Sequence, residues 1–449
     1  MISVSTHGSE LNWWEAPFAS GALDATVSVP ASKSLTNRYL VLAALADSPS
    51  TIHNTLISRD TELMLRALEQ FGVRVQRTAQ EDGSTTVVLT PGGPAGAETP
   101  RVDCGLAGTV MRFVPALAAV TGAKVHFDGD PAARVRPMAP VLDALAALGV
   151  KFDFDAQPSM LPFTMDASAV AARESVTIDA SASSQFISAM LLIGHALPGG
   201  LHLRAAAGQI ASPDHILMTV ATLRELGVAV SEDADGRGWQ IAPGAIAGFT
   251  VTVEPDLSNA GPFLAAALAT AGTVRVPFWP ENTTQVGGKW VQILSAMGAE
   301  VARSADGVLS VRGSGTIHGI DYADASELAP TLAALCVLAD APSTLHGIGH
   351  LRGHETDRLA ALETELAKVG ARVRATEDGL RIEPGVLQAA DLHSYEDHRM
   401  ATAGALLGLA IDGVRVENIA TTAKTMPDFP RLWAQMAGTA APGAPGQAG

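Results

Sequence analysis

Cations recur where short polar stretches run into Ala/Leu-rich segments. Ser32-Lys33-Ser34 with Asn37-Arg38, Gly108-Thr109 with Arg112, Ser183-Ser184-Gln185, Glu327, and Glu396-Asp397-His398-Arg399 open five such segments. Arg136-Pro137, Ser212-Pro213, His354-Glu355-Thr356-Asp357-Arg358 and Lys424-Thr425 open a second type. A helix start presents unpaired N–H groups and a positive dipole end, so anions settle there. Capping accounts for Thr109 and Asp397. It does not account for Lys33, Arg38, Arg112, Arg136, Arg358, Arg399 and Lys424, because a cation opposes the dipole. Cations so placed predict an anionic ligand. Arginine forks match carboxylate and phosphate, lysine supplies a compact charge, and the hydroxyls of Ser183, Ser184 and Ser212 add neutral donors. Glu327, Glu355, His398, Lys33 and Lys424 are the acid–base candidates. His354 and His398 adjoin acidic residues, so a helix-start hydrogen bond competes there with catalysis.

The elements that must position these residues repeat. Leu68 to Gly72-Val73, Leu145 to Gly149-Val150, Leu223 to Gly227-Val228, Leu294 to Gly298-Ala299 and Leu366 to Gly370-Ala371 share one pattern, with a degenerate sixth copy ending at Gly438. Each reads as a helix closed by a left-handed glycine and followed by a strand. The Ala/Leu-rich segments keep the same period: Ser34 to Ala46, Thr109 to Val120, Ser183 to Ala196, Ser258 to Ala271, Glu327 to Ala339 and Asp397 to Ile411. Six repeats of about 75 residues, each with two helices and several short strands, account for the chain. The sixth lacks a strand after Gly438, where Thr439–Gly449 reads as a disordered tail. The segment Leu11 to Val29 is expected to supply it. Three repeats per lobe give a first lobe over 30–253 and a second over 254–438, completed by residues 1–29.

Composition narrows the class. The 449 residues are 47% apolar and 17% charged, and 30 Lys+Arg against 46 Asp+Glu give a formal charge of −16. That excludes a general nucleic-acid binder, which needs a basic footprint. Cys104 and Cys336 form neither a disulfide framework nor a metal spacing, no HExxH occurs, and the histidines otherwise stand singly, so no metal is expected. No apolar run approaches a membrane span, no secretory signal is visible at Met1–Glu10, and no nucleotide loop of the GxxxxGK[ST] type occurs. A cytoplasmic enzyme without membrane contact is expected.

Pro30-Ala31-Ser32-Lys33-Ser34 with Asn37-Arg38, Ala107-Gly108-Thr109 with Met111-Arg112, and Ser183-Ser184-Gln185-Phe186 resemble the EPSP synthases (3-phosphoshikimate 1-carboxyvinyltransferases) of the enolpyruvyl transferase family. Glu355-Thr356-Asp357-Arg358, Asp397-His398-Arg399-Met400 and Thr422-Ala423-Lys424-Thr425 extend the resemblance in the family's order over residues 25 to 430. It implies an α/β fold of six βαβαββ repeats, three per lobe, an inverse α/β barrel closing on substrate between the lobes. It implies transfer of the enolpyruvyl group of phosphoenolpyruvate to the 5-hydroxyl of shikimate 3-phosphate, with loss of phosphate and no metal or organic cofactor. A monomer is the expected state.

By position, the resemblance gives shikimate 3-phosphate to Lys33, Ser34, Arg38, Ser183, Ser184, Gln185 and Ser212, with Glu327 and His354. It gives phosphoenolpyruvate to Lys33, Gly108, Arg136, Gln185, Arg358, Arg399 and Lys424. Glu327 becomes the base for the 5-hydroxyl, and Lys424 and Glu355 the proton partners at the methylene carbon, in an order left open. Leu106, Phe113, His354 and Glu327 depart from the family's Asn, Pro, Lys and Asp. Gly108 leaves room beside phosphoenolpyruvate, so sensitivity to glyphosate is expected. The sister family acting on UDP-N-acetylglucosamine carries a reactive Cys where Gly129 to Arg136 has none.

Overall fold

A computed structural model describes residues 12–92, 99–173 and 175–439. Residues 440–449 of the expected tail lie outside them. The chain divides into two compact units. One comprises Val29–Leu257 with Pro280–Gly288; the other holds the described residues within Met1–Ser28, Ser258–Trp279 and Lys289–Gly449. Pro280–Gly288 joins the first through Glu254, whose carboxylate accepts from Thr283 Oγ1 and Gln285 Nε2, both at 2.7 Å.

Among the described residues each unit contains three small sheets, five of the six four-stranded and built to one plan and the one around Arg415–Glu417 three-stranded. In the sheet containing Lys124–Asp128, the strand Arg101–Asp103 runs parallel to it and Phe163–Asp166 antiparallel, with Lys151–Phe154 at the far edge. The same order recurs around Leu201–Ala205 and around Ser343–His346. In two sheets the first strand is borrowed from elsewhere in the chain. Thr250–Thr252 returns to pair with Ser50–His53, and Asp24–Thr26 pairs with Thr273–Val276. The segment expected to supply one strand therefore supplies two, because Trp13–Glu15 also pairs antiparallel with Arg415–Glu417 in the sixth repeat. Both are three residues long, too short for an alternating pattern to show.

The two helix types differ in burial. Helix Gly108–Thr121 is buried from Gly108 to Ala119, and helices Gln185–Gly194, Ala329–Val337 and His398–Ala410 are buried over nearly their whole lengths. Helices apolar all round belong in a core, and these pack on one another within each unit. The second type, such as Arg59–Gln70 and Arg358–Lys368, buries one face only. Gly72, Gly149, Gly227, Gly298, Gly370 and Gly438 all have left-handed φ, between 68° and 104°. There a Cβ would be strained, which is why the repeat signature ends on glycine.

Candidate active site

In the first unit, Ser32 caps helix Lys33–Ala44 through Leu35 N, so Lys33, Ser34, Asn37 and Arg38 lie in its first turns. Lys33 Nζ meets Asp60 Oδ2 at 3.2 Å, and Asp60 is buried at the start of the neighbouring helix. Arg38 is 1% exposed. Its guanidinium donates to Thr219 Oγ1 (2.8 Å), Ser188 Oγ (3.3 Å) and the carbonyls of Ser34 and His215, and lies over the Phe113 ring. It thus ties three helices together beside Ser34. Asn37 Nδ2 donates to Thr109 Oγ1 at 2.7 Å, holding the start of helix Gly108–Thr121 against it.

Gly108 marks where the first unit's polar side chains converge. A Cβ there would stand 3.0 Å from Gln185 Oε1, 3.3 Å from Arg112 Nη1 and 3.4 Å from Arg136 Nη2. Arg136 donates from Nη1 to the Leu106 carbonyl at 3.2 Å, while its Nε is buried without a hydrogen-bond partner. Arg112 is fixed to the Pro137 carbonyl at 2.9 Å. Ser183 precedes helix Gln185–Gly194 and accepts from Gln185 N (3.2 Å); Ser184 is buried. Ser212, with φ 45°, immediately precedes Pro213 and the next helix.

The second unit gathers an ion network. Asp397 caps helix His398–Ala410 through Arg399 N (2.8 Å) and also takes the Arg358 guanidinium, with Nε at 2.7 Å and Nη2 at 3.2 Å. Arg358 Nη2 reaches Glu355 Oε2 at 3.2 Å, and Lys424 Nζ reaches Glu355 Oε1 at 2.5 Å. His354 Nδ1 lies 3.3 Å from Arg358 Nη1. Arg399 Nη2 lies 3.5 Å from Glu327 Oε1. Burial opposes the Arg358 charge, but the Asp397 and Glu355 carboxylates outweigh it and hold its pKa above the usual value. His398 is buried with Nδ1 3.9 Å from Asp397.

Local structure departs from the sequence reading at three residues: Thr109, read as a cap, lies inside helix Gly108–Thr121, whose N-cap is Ala107 and makes no side-chain bond, and Glu327 and Lys424 do not open α-helices. Glu327 sits in a 3-10 turn, Ser326–Leu328, because Pro330 opens the α-helix Ala329–Val337 and Ser326 has φ 49°. Lys424 ends a 3-10 turn, Ile419–Lys424, instead of opening helix Phe429–Met436; Pro427 and Pro430 delay that helix. Cations that look misplaced in sequence also have acidic partners: Asp60 for Lys33, Asp397 and Glu355 for Arg358, Glu355 for Lys424, Glu327 for Arg399. The only mark Asp60 carries in the sequence is that of an acid in a helix's first turn.

The described residues hold no group of three or more His, Cys, Asp or Glu arranged for a metal ion, and no described helix is long and apolar enough to cross a membrane. The architecture matches a solved EPSP synthase from Acinetobacter baumannii with a TM-score of 0.77 at 24% identity, over 95% of this chain and 98% of that one. It matches the enolpyruvyl transferase NikO from Streptomyces tendae with a TM-score of 0.69 at 18% identity, over 94% and 96%. The fold is that of the enolpyruvyl transferases. A family model for EPSP synthase (3-phosphoshikimate 1-carboxyvinyltransferase) matches residues 18–433. The 3-phosphoshikimate 1-carboxyvinyltransferase of Kocuria rhizophila is 53% identical over 434 residues, covering 95% of this chain and 97% of its own length. That of Bifidobacterium longum is 50% identical over 440 residues, covering 95% and 98%. The chain belongs to the EPSP synthase family, and its activity is 3-phosphoshikimate 1-carboxyvinyl transfer in aromatic amino acid biosynthesis.

Proposed function

We propose that the two clusters divide the work of this reaction. Lys33, Ser34, Arg38, Ser183, Ser184, Gln185 and Ser212, with Glu327 and His354, hold shikimate 3-phosphate. Lys33, Arg136, Gln185, Arg358, Arg399, Lys424 and the backbone at Gly108 hold phosphoenolpyruvate. The donors suit the two ligands: arginine forks for carboxylate and phosphate, hydroxyls and an amide for the remaining oxygens.

Glu327 takes the proton of the 5-hydroxyl as its oxygen bonds to C2 of phosphoenolpyruvate. A second proton is delivered to C3, giving a methyl group and a tetrahedral intermediate. Elimination removes one methyl proton as the C2–O bond to phosphate breaks. Lys424 and Glu355 deliver and recover that proton as a pair, and the fixed cations stabilise the charge that develops in both steps. The observation that carries this reading is the 2.5 Å contact between Lys424 Nζ and Glu355 Oε1, on a carboxylate that Arg358 also holds. A half-buried ammonium and carboxylate so close can pass a proton between them with no change in their summed charge. His398, buried next to Asp397, keeps the Asp397–Arg399 segment in place. The enzyme acts as a cytoplasmic monomer; sedimentation at its 46.2 kDa mass tests the oligomeric state.

The test of the site is phosphate release from phosphoenolpyruvate with shikimate 3-phosphate or UDP-N-acetylglucosamine as sole acceptor. Release with the first alone, lost in Glu327→Gln and Lys424→Ala proteins whose circular dichroism is unchanged, is the expected result. Turnover at the parental rate in both variants would remove these roles.

A further inference from the structure

The loop that delivers Asp397, His398 and Arg399 is held in a conformation its residues disfavour. Tyr395 and Glu396 both have left-handed φ, 55° and 56°. Neither is glycine, and two such residues in succession persist only where the surroundings over-determine them. The restraint comes from Glu365. This residue is 2% exposed, and its carboxylate accepts from Tyr395 Oη at 2.6 Å and from His393 N at 2.9 Å, with Lys368 Nζ at 2.6 Å. Glu417 adds bonds to Ser394 N (3.3 Å) and His393 Nδ1 (2.9 Å), and Asn418 Nδ2 donates to Glu396 Oε1 at 2.9 Å.

Glu365 and Arg358 belong to the same helix, Arg358–Lys368, two turns apart and on one face. The helix therefore grips the loop twice, through Glu365 on His393 and Tyr395 and through Arg358 on Asp397. Asp397 N bonds back to Ser394 O at 2.9 Å, which joins the two grips. We propose that Glu365 is a positioning residue for the reaction: it fixes the Tyr395–Glu396 bend, and through it Asp397, so that Arg358 and Arg399 stand where phosphoenolpyruvate is held. This rests on the proposed roles of Arg358 and Arg399.

The test compares Tyr395→Phe, Glu365→Gln, Glu365→Ala and Arg399→Lys, reading KM for each substrate, kcat and the thermal midpoint. Tyr395→Phe removes one hydroxyl and is the variant expected to fold in all circumstances. KM for phosphoenolpyruvate should rise about 3- to 10-fold in Tyr395→Phe and more in Glu365→Ala, with Glu365→Gln between, while KM for shikimate 3-phosphate stays within twofold. Should Tyr395→Phe and Glu365→Gln lower only the thermal midpoint and leave both KM values and kcat at parental levels, Glu365 is structural and the positioning role is wrong. If instead Arg399→Lys leaves KM for phosphoenolpyruvate unchanged, the assignment of Arg399 fails, and the proposal falls with it for a distinguishable reason.

Discussion

Lys424 Nζ and Glu355 Oε1 lie 2.5 Å apart, although 69 residues separate them in the chain. Glu355 spends its other oxygen on Arg358, so the lysine, the carboxylate and the arginine form one continuous path ending at Asp397. Removing either end of the Lys424–Glu355 pair should cost the proton step. Glu355→Gln and Lys424→Ala are expected to lower kcat by about 10²- to 10⁴-fold, the usual worth of a positioned acid or base. Steady-state kinetics with circular dichroism as the folding control checks this.

Gly108→Ala places a methyl group 3.0 Å from Gln185 Oε1 and 3.4 Å from Arg136 Nη2. Both are the ends of movable side chains, so the protein should fold with a thermal midpoint close to the parent's. The KM for phosphoenolpyruvate is expected to rise about 10-fold, since a displacement well under 1 Å at a binding group is costly. The parent should be inhibited by glyphosate below millimolar concentration and the variant less so. Full parental activity at millimolar glyphosate contradicts that.

Arg38→Ala empties a buried site and removes the guanidinium's bonds to the Thr219 and Ser188 hydroxyls and to the Ser34 and His215 carbonyls, although both hydroxyls still bond each other and the His215 carbonyl. Lost hydrogen bonds to a charged group cost about 1.5–3 kcal/mol, and a large buried side chain cut back to alanine adds the cost of the cavity it leaves. A loss of about 3 kcal/mol in denaturant unfolding is expected, together with weaker binding of shikimate 3-phosphate measured by calorimetry. A change below about 0.5 kcal/mol would show that these bonds carry no stability.

His195 is 3% exposed, and its Nδ1 pairs with the Gly244 carbonyl at 2.9 Å. Burial holds its pKa below the ordinary histidine value of about 6.5, outweighing the hydrogen bond that raises it. The unfolded chain therefore binds a proton more readily than the folded one. Its contribution is fully present above about pH 6.5 and is lost as pH falls through the folded value. Unfolding free energies at pH 7.5 and 5.5 should differ more in the parent than in His195→Gln.

Much of this was legible in the sequence, and the reasons are local. The Leu-to-Gly signature works because a helix ending on a left-handed residue needs glycine, and all six glycines have that φ. The polar starts of the buried helices fall within two residues of the structural starts at Lys33, Gly108, Gln185 and His398. Partnerships were not legible. Asp60 lies 27 residues from Lys33, and Asp397 lies 39 from Arg358. Asp397 reads as a helix cap, which it is, but nothing near it announces the guanidinium it also holds. Glu365 looks like one more polar residue on a half-exposed helix, and only the strained bend at Tyr395–Glu396 shows what it grips.

Both cysteines are buried and free. Burial pushes the Cys336 thiol up to about 12, and Cys104 is raised further by burial and the nearby Asp103. Neither forms thiolate at neutral pH, so iodoacetamide should leave the native enzyme unlabelled and fully active. Mass spectrometry of the intact protein before and after unfolding reads this directly.

The proton exchanged at C3 of phosphoenolpyruvate bears most directly on the paired roles proposed for Lys424 and Glu355. Turnover in deuterium oxide, with the vinyl group of the product analysed by mass spectrometry, follows it. The parent should place solvent deuterium in that group as phosphate is released, and Lys424→Ala, folded and still binding shikimate 3-phosphate, should do neither. Deuterium incorporation at the parental rate in Lys424→Ala would contradict the account.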